Sequence, residues 1–286
     1  MSISNTDFAQ AAPRAATGDA FLPFGKPRIA FINAGGLWTL YLKEVRRFMK
    51  VQMQTVWAPA ATTLLFLFIF TVALGRQGRI ELGVPFADFL APGLIMMAML
   101  QNSFANTSSS VLIAKAQGTI IDILMPPLSA GELMIAFIGG AVTRAAAVGA
   151  SIALAMMLAP NVHLHVSHVW AIVYFGVMGS AMLGLTGVLT GLWAEKFDHA
   201  ATITNFVIQP LSLLSGTFYT IERLGGVWHM FSAVNPFFYL IDGFRYGLIG
   251  AADSNIAVGA AVIFAINTVL AVLTYVLLRR GYKLKA

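Results

Sequence analysis

Cysteine is absent from the 286 residues, which excludes disulfides, thiolate metal sites and Cys nucleophiles. Charge is scarce as well. Asp, Glu, Lys and Arg make up 10% of the chain, against about 25% in a soluble globular domain. So large a deficit means that much of the surface faces something other than water, and lipid is the obvious candidate. No GxxxxGK[ST] occurs, so the chain carries no P-loop. No Ser/His/Asp or paired-carboxylate site is evident in the apolar runs, and nothing argues for an enzyme. No internal repeat stands out, which counts mildly against a secondary transporter. The start of the chain lacks the compact apolar core of a cleaved signal peptide. It is Ala-rich and polar, with Pro13, Pro23 and Pro27, and reads as a disordered cytoplasmic tail over residues 1–32.

What is present is hydrophobic: 58% of the residues, with a mean hydropathy of +0.78. A bilayer-spanning helix needs about 20 apolar residues. Val56–Leu74, Phe89–Ile113, Leu133–Ala159, Val169–Trp193, Ala200–Ile221 and Ser254–Leu278 meet that need, and only the third contains a charge, Arg144. The expected fold is therefore an all-α integral membrane protein of six transmembrane helices. A further uncharged run, Leu224–Ile241, holds Gly225, Gly226 and the pair Asn235-Pro236. Proline disfavours helix at the residue before it, so this run reads as an external re-entrant helical hairpin between spans five and six. Such a hairpin is tolerated where protein covers its freed backbone groups.

Orientation follows from Lys and Arg. With six spans, 13 of them fall on the side shared by both termini and four, Arg76, Arg79, Arg223 and Arg245, on the other. Both termini are expected in the cytoplasm and the chain in the cell inner membrane. The net charge of +6 sits beside apolar runs, which favours a membrane surface over nucleic acid.

The segment 33–54 is amphipathic at helical spacing. Leu37, Trp38, Tyr41, Val45, Phe48 and Met49 line one face, and Lys43, Arg46, Arg47 and Lys50 much of the other. It reads as an interfacial helix in the cytoplasmic headgroup layer, running directly into the first span; the plainer alternative is a solvated helix packed on the protein. The six-helix domain then occupies 55–286.

The loop KAQGTIIDILMPPLSAGE, Lys115 to Glu132, carries the most information. Thr119 can cap a short helix through Ile120, Ile121, Asp122, Ile123, Leu124 and Met125, which Pro126-Pro127 must end. Ser129 and Glu132 form a capping box that starts the third span. Exposed Ile and Leu are costly without a cover, so this knuckle either meets a partner or folds back onto its own bundle.

Within the spans, Gln101, Asn102, Ser103, Asn106, Thr107 and Ser108 to Ser110 must face the bundle or a pathway. Interhelical hydrogen bonding is at least as good an account as substrate contact. Arg144 is an intramembrane charge that Gln101, Asn102 or Asn106 could relieve. Gly187 and Gly191 form a small-xxx-small pair, with Gly176, Gly179 and Gly184 nearby. Pro210 is expected to kink the fifth span. His163, His165 and His168 cluster in a short external loop at a spacing that can bind a transition metal, and a hydrated loop is the plainer reading.

The run SGTFYTIERLGGVWHMFSAVNPFFYLIDGFRYGLIG, Ser215 to Gly250, resembles the signature of ABC-2 type permeases, the membrane subunits of bacterial ATP-binding-cassette exporters. The resemblance rests on Ser215, Gly216, Tyr219, Asn235, Pro236, Tyr239 and Arg245, and extends from about residue 33 to the C-terminus. It implies a permease for a hydrophobic or amphipathic substrate such as a drug, a lipid or a lipid-linked glycan. It implies an ATPase-coupling helix at Gly118, Thr119, Ile120, Asp122, Leu124, Met125, Pro126, Pro127 and Leu128. It further implies a translocation path at Asn102, Asn106, Thr202, Phe206, Gly216 and Phe218, and an external gate at Tyr219, Trp228, Asn235, Pro236 and Phe237. ATP and Mg would sit on a separate ABC ATPase subunit, with no cofactor bound by this chain. The other implied partners are a second permease copy, as a homodimer, and membrane lipid. An ion-coupled or facilitative carrier and a non-transporting membrane scaffold are the competing readings.

Overall fold

The computed structural model describes residues 32–74, 80–158, 162–220 and 234–283. The expected N-terminal tail and Trp228 lie outside them, as does most of the run from Leu224 to Ile241. Among the described residues the chain is an all-α membrane protein with one minimal hairpin, β1 (Ile80–Glu81) and β2 (Val84–Pro85), turned by Leu82 and Gly83 at positive φ. The helices are α1 (Ala34–Met49), α2 (Ala58–Leu74), α3 (Phe86–Ala116), α4 (Ile120–Leu124), α5 (Ala130–Met157), α6 (Val169–Trp193), α7 (Phe197–Ile203), α8 (Gln209–Leu213), α9 (Pro236–Ile249) and α10 (Ile256–Arg280). Two π-helical segments interrupt this series, π1 (Met53–Trp57) before α2 and π2 (Thr204–Ile208) between α7 and α8.

Among the described residues, four segments are long and apolar enough to cross a membrane: Met53–Ala73, α5, α6 and α10. The remaining two expected spans look different. The 31 residues of α3 reach about 46 Å at 1.5 Å per residue, but its polar stretch dilutes its apolarity, and nearly the whole helix is buried among its neighbours. The fifth expected span is 17 residues in three pieces, α7, π2 and α8, ending at Leu213 rather than Ile221.

A proline follows each π segment, whereas Pro92 is accommodated within α3 without one. A proline ring clashes with the carbonyl four residues earlier and removes one helical hydrogen bond. For Pro59 and Pro210 those carbonyls belong to Thr55 and Phe206, inside π1 and π2. Widening the turn moves the carbonyl away from the ring, so Pro210 acts through a π turn rather than a simple kink.

The core is α3 packed along α5 and α6. On α6 the small residues admit α3 closely. Thr107 Oγ1 donates to the Gly184 carbonyl at 2.8 Å, and Ser103 Oγ to the Ser180 carbonyl. A Cβ on Gly187 would stand 2.6 Å from the Phe104 carbonyl oxygen. The first part of α6 receives α9, which runs antiparallel to it: Leu240 lies against Gly179, Phe244 against Gly176 and Ile172 against Gly247. Asn235 caps α9 by accepting from the Phe237 N–H at 3.0 Å, with Pro236 as its first residue. At 14 residues, about 21 Å, α9 is too short to cross a bilayer. By contrast α2 and α10 are mostly exposed along their lengths.

The knuckle end is fastened by short polar contacts. The expected capping box is present: Ser129 Oγ accepts from the Glu132 N–H, and Glu132 Oε2 accepts from the Ser129 N–H at 2.6 Å. The other oxygen of Glu132 accepts from the Asn33 N–H, and Asn33 Nδ2 donates to the Pro127 carbonyl. Thr119 does not cap α4 as expected; its hydroxyl turns back to the Ala114 carbonyl at 3.5 Å, and its own φ and ψ are already helical. Lys115 Nζ donates to the carbonyls of Gly191, Leu192 and Ala194 at 2.8–3.2 Å, closing α6, which ends without a glycine. Beyond the helices, Lys283 bonds Glu195 at 2.9 Å and holds that carboxyl below its ordinary range.

Gly187→Ala is expected to destabilise the protein by about 1–3 kcal/mol, because backbone on α3 leaves no room for a methyl group. Thermal unfolding in detergent micelles measures it; a variant as stable as the parent would show that α3 and α6 approach less closely than this.

Candidate functional site

A groove of about 380 Å³ opens between π1–α2, α3 and α8. Its walls carry Phe66, Phe70, Leu94, Met97, Leu213 and Phe218, and its polar groups are the hydroxyls of Thr62 and Thr63 and the amides of Gln54, Gln101, Asn102 and Gln209. Gln101 Nε2 donates to Gln209 Oε1 at 2.9 Å, joining α3 to α8. Phe70 and Phe218 pack with ring centroids 4.5 Å apart. Behind the groove, Arg144 Nη2 donates to Asn102 Oδ1 at 2.9 Å, while Asn102 Nδ2 donates to the Ala98 carbonyl. The intramembrane charge is thus relieved by Asn102, one of the three residues its sequence context offered.

One helical turn further along α3, the polar residues serve a different partner. Glu44 of α1 is fully buried; it accepts from Ser110 Oγ at 2.8 Å and pairs with Arg47 at 3.1 Å. Arg47, 27% exposed at its side chain, also donates to Ser109 Oγ and to both the backbone and side-chain oxygens of Asn106. Tyr41 reaches the Thr143 hydroxyl at 2.9 Å. Gly140 is needed here, since a Cβ on it would stand 2.7 Å from Glu44 Cβ. So α1 is docked on α3 and α5 by its Glu44–Arg47 edge. Lys43, Arg46 and Lys50 stay exposed as the amphipathic pattern demands, and Arg47 departs from it.

The knuckle divides its apolar residues. Ile120 and Ile123 are buried against Leu40, Val111, Ala114 and Leu133. Ile121 and Met125 remain 60% and 75% exposed, and Leu124 is exposed too. One face of the knuckle thus folds back onto the bundle, and the other is bare. Beside it lies a cleft of about 690 Å³ lined by Gly36, Thr39 and Lys43 of α1 and by Thr119, Asp122, Pro126 and Leu128. Gly118 precedes the knuckle at φ +72°, a left-handed turn that glycine adopts without cost.

At the other end, Arg245 is wholly buried. Its Nη2 donates to the Gly216 carbonyl at 2.7 Å, its guanidinium lies 4.0 Å from the centre of the Phe89 ring, and Nη1 stands 3.7 Å from Asp242 Oδ1. Asp242 in turn accepts from the backbone of Asp253 and Ser254 and from Ser254 Oγ. The turn after α8 leaves buried, non-helical backbone that must be satisfied internally. Arg245 satisfies one of its carbonyls, and Ser215 Oγ another, that of Ser212. Counting Arg245 among loop charges missed this; the signal was Asp242 and Arg245 spaced i, i+3 on one helix.

The expected path residues are not all brought together. Asn102 and Phe218 line the groove; Asn106 is held by Arg47; Gly216 lies under Arg245; Thr202 and Phe206 stand on the open face of α7 and π2, Phe206 at 78% exposure. Of the expected gate, Asn235 also donates to the Leu211 carbonyl at 2.8 Å, Phe237 is buried and Tyr219 is half-buried. The histidines separate: His168 stacks on Tyr246, His163 approaches Asp88, and His165 is exposed. Among the described residues no group of three or more His, Asp or Glu could hold a metal ion. Gln54 and Gln209 escaped sequence reasoning, although each lies within five residues of a proline in an apolar stretch.

The profile of the family described as ABC-2 type transporter matches residues 36–249. Inner membrane transport permease YadH of Escherichia coli (strain K12) is 32% identical over 252 residues, covering 87% of this chain and 97% of the relative. Nodulation protein J of Rhizobium leguminosarum bv. viciae is 25% identical over 256 residues, covering 88% and 98%. Nodulation protein J of Rhizobium meliloti (strain 1021) is 24% identical over 233 residues, covering 81% and 88%.

Glu44→Gln is expected to cost about 1–3 kcal/mol, because it removes the charge that pairs with Arg47 while the bonds of Arg47 to Asn106 and Ser109 remain. The double variant Glu44→Leu with Arg47→Met should cost less than the sum of its single changes. Unfolding of the detergent-solubilised chain reads both, and additive losses would mean that the two charges act independently.

Proposed function

The chain belongs to the ABC-2 type transporter family, and from that premise we propose that it is the membrane-spanning subunit of an ATP-driven exporter whose ATPase is a separate polypeptide. The bare outer face of the knuckle carries this reading. Fully burying an exposed side chain such as Met125 contributes roughly 1.5–3 kcal/mol, and Ile121 and Leu124, 60% and 39% exposed, contribute correspondingly less. A helix ended by Pro126-Pro127 and fastened through Pro127 to Asn33 is stiff enough to carry a push from below. The adjoining cleft between α1 and α4 supplies a second wall for a partner. In this proposal α3 and the α7–α8 segment are the second and fifth of six spans, α1 rests at the headgroup layer, α9 is the outgoing limb of the re-entrant hairpin, and both termini are cytoplasmic. The chain binds no cofactor of its own; ATP and Mg lie on the partner.

The groove between π1–α2, α3 and α8 is the part of the translocation path belonging to one subunit. The exposed apolar faces of α2 and of π2, among them Phe66, Phe68 and Phe206, fit a second copy of the chain completing that path within lipid. ATP closes two partner subunits, each draws a knuckle inward, and the spans rock to open the gate around Trp228 and Phe237. The shift is limited by the difference in ATP affinity between the two states. The substrate is a hydrophobic or amphipathic molecule.

The double variant Leu124→Asp with Met125→Asp is expected to insert normally and to lose at least about 90% of the ATPase that co-purifies with the tagged parent from its native membranes, since charge replaces the apolar contact. Undiminished recovery of the ATPase would overturn the coupling role. Transport by the purified chain alone, driven by an ion gradient in liposomes, would overturn the exporter.

A further inference from the structure

We propose that Gln54, Gln101 and Gln209 form a recognition site for the neutral, hydrogen-bonding head of an amphiphile, and that π1 and π2 aim the first and last of them into it. The inference rests on the groove being the path, as proposed above.

Charge is the first argument. None of the residues lining the groove is ionisable, so neither an anion nor a cation finds a counter-charge there. The nearby cation, Arg144, is not a lining residue: it stands behind Asn102, to whose Oδ1 it donates, and Asn102 has its amide turned to Ala98. Hydrogen-bonding capacity is the second. A primary amide offers two donors and a carbonyl with two lone pairs. The Gln101–Gln209 bond uses one donor of the former and one lone pair of the latter. Several donors and acceptors remain beside Phe66, Phe70 and Phe218. An uncharged hydroxyl- or amide-bearing group joined to an apolar tail matches both parts of that lining.

Helix geometry is the third argument. Gln54 lies inside π1, and Gln209 directly succeeds π2. A π turn inserts one extra residue, which rotates the remainder of the helix by about 100° relative to a continuous α-helix. Each segment has a proline two residues beyond its end, Pro59 and Pro210, whose ring crowds a carbonyl within the segment. Two helices of different origin thus use the same device on the same groove, and both deliver a glutamine to it.

The test uses the full-length chain in phosphatidylcholine nanodiscs. Because the chain has no cysteine, Thr62→Cys labelled with bimane reports on the groove alone. Three ligands with the same dodecyl tail are titrated: dodecyl maltoside, dodecyl trimethylammonium and dodecyl sulfate. Saturable binding of the maltoside, at least about 10-fold tighter than either charged ligand, is expected. Gln209→Leu and the solvent-exposed Gln54→Leu should each weaken it by about 5-fold, the loss of one hydrogen bond. Pro210→Ala should weaken it similarly by letting the helix close to its normal turn. Charged ligands binding as tightly as the maltoside, or maltoside affinity unmoved by both leucine variants, would overturn the site. Unchanged affinity in Pro210→Ala would overturn the role of π2. No arm involves the ATPase, so failure here leaves the knuckle's recruitment of that partner standing, and loss of recruitment leaves this binding measurable.

Discussion

The polar stretch of α3 from Gln101 to Ser110 must find its partners inside the protein, because lipid offers none. The rest of the bundle is arranged by that requirement. Two of its hydroxyls, on Ser103 and Thr107, reach backbone carbonyls of α6, which demands small residues there and accounts for the glycines at 184, 187 and 191. Asn102 takes Arg144 of α5. Asn106, Ser109 and Ser110 take the Glu44–Arg47 pair of α1, and Gln101 takes Gln209. A single helix thereby sets the positions of four others. It is central because it is the least able to face lipid.

That arrangement separates the bundle into a tightly packed part and a lightly packed one. The helices α3, α5, α6 and α9 bury small residues and interlock. The α2 helix and the α7–π2–α8 segment lean on this body along one side of the groove and expose much of their surface. A π segment precedes the first and lies within the second, where the ordinary helical ladder is interrupted. Elements that move in a working cycle are drawn from regions of few buried contacts, and here those regions form the groove walls while the knuckle is rooted in the body.

Much of this was legible in the sequence. Apolar run length located α2, α5, α6 and α10 to within a few residues, because lipid enforces a length that water does not. The Ser129–Glu132 box and the Pro126-Pro127 stop were legible because caps and breakers act locally. Three features were not. Amphipathic reasoning places charge outward, so the inward Glu44–Arg47 edge was invisible until α3 supplied its partners. A proline in a span predicts disruption but not its form, and the π turns depend on where the preceding carbonyl can go. Arg245 counts among the external charges; its i, i+3 spacing from Asp242 signals a pair, but the Gly216 carbonyl beneath it comes only with the fold.

The closing of α6 by Lys115 ties two helices together at a single atom. With no glycine turn after it, α6 offers its last carbonyls to one ammonium from α3, which bonds three of them. The same amine finishes one helix and anchors the base of the knuckle, so its removal would slacken both at once.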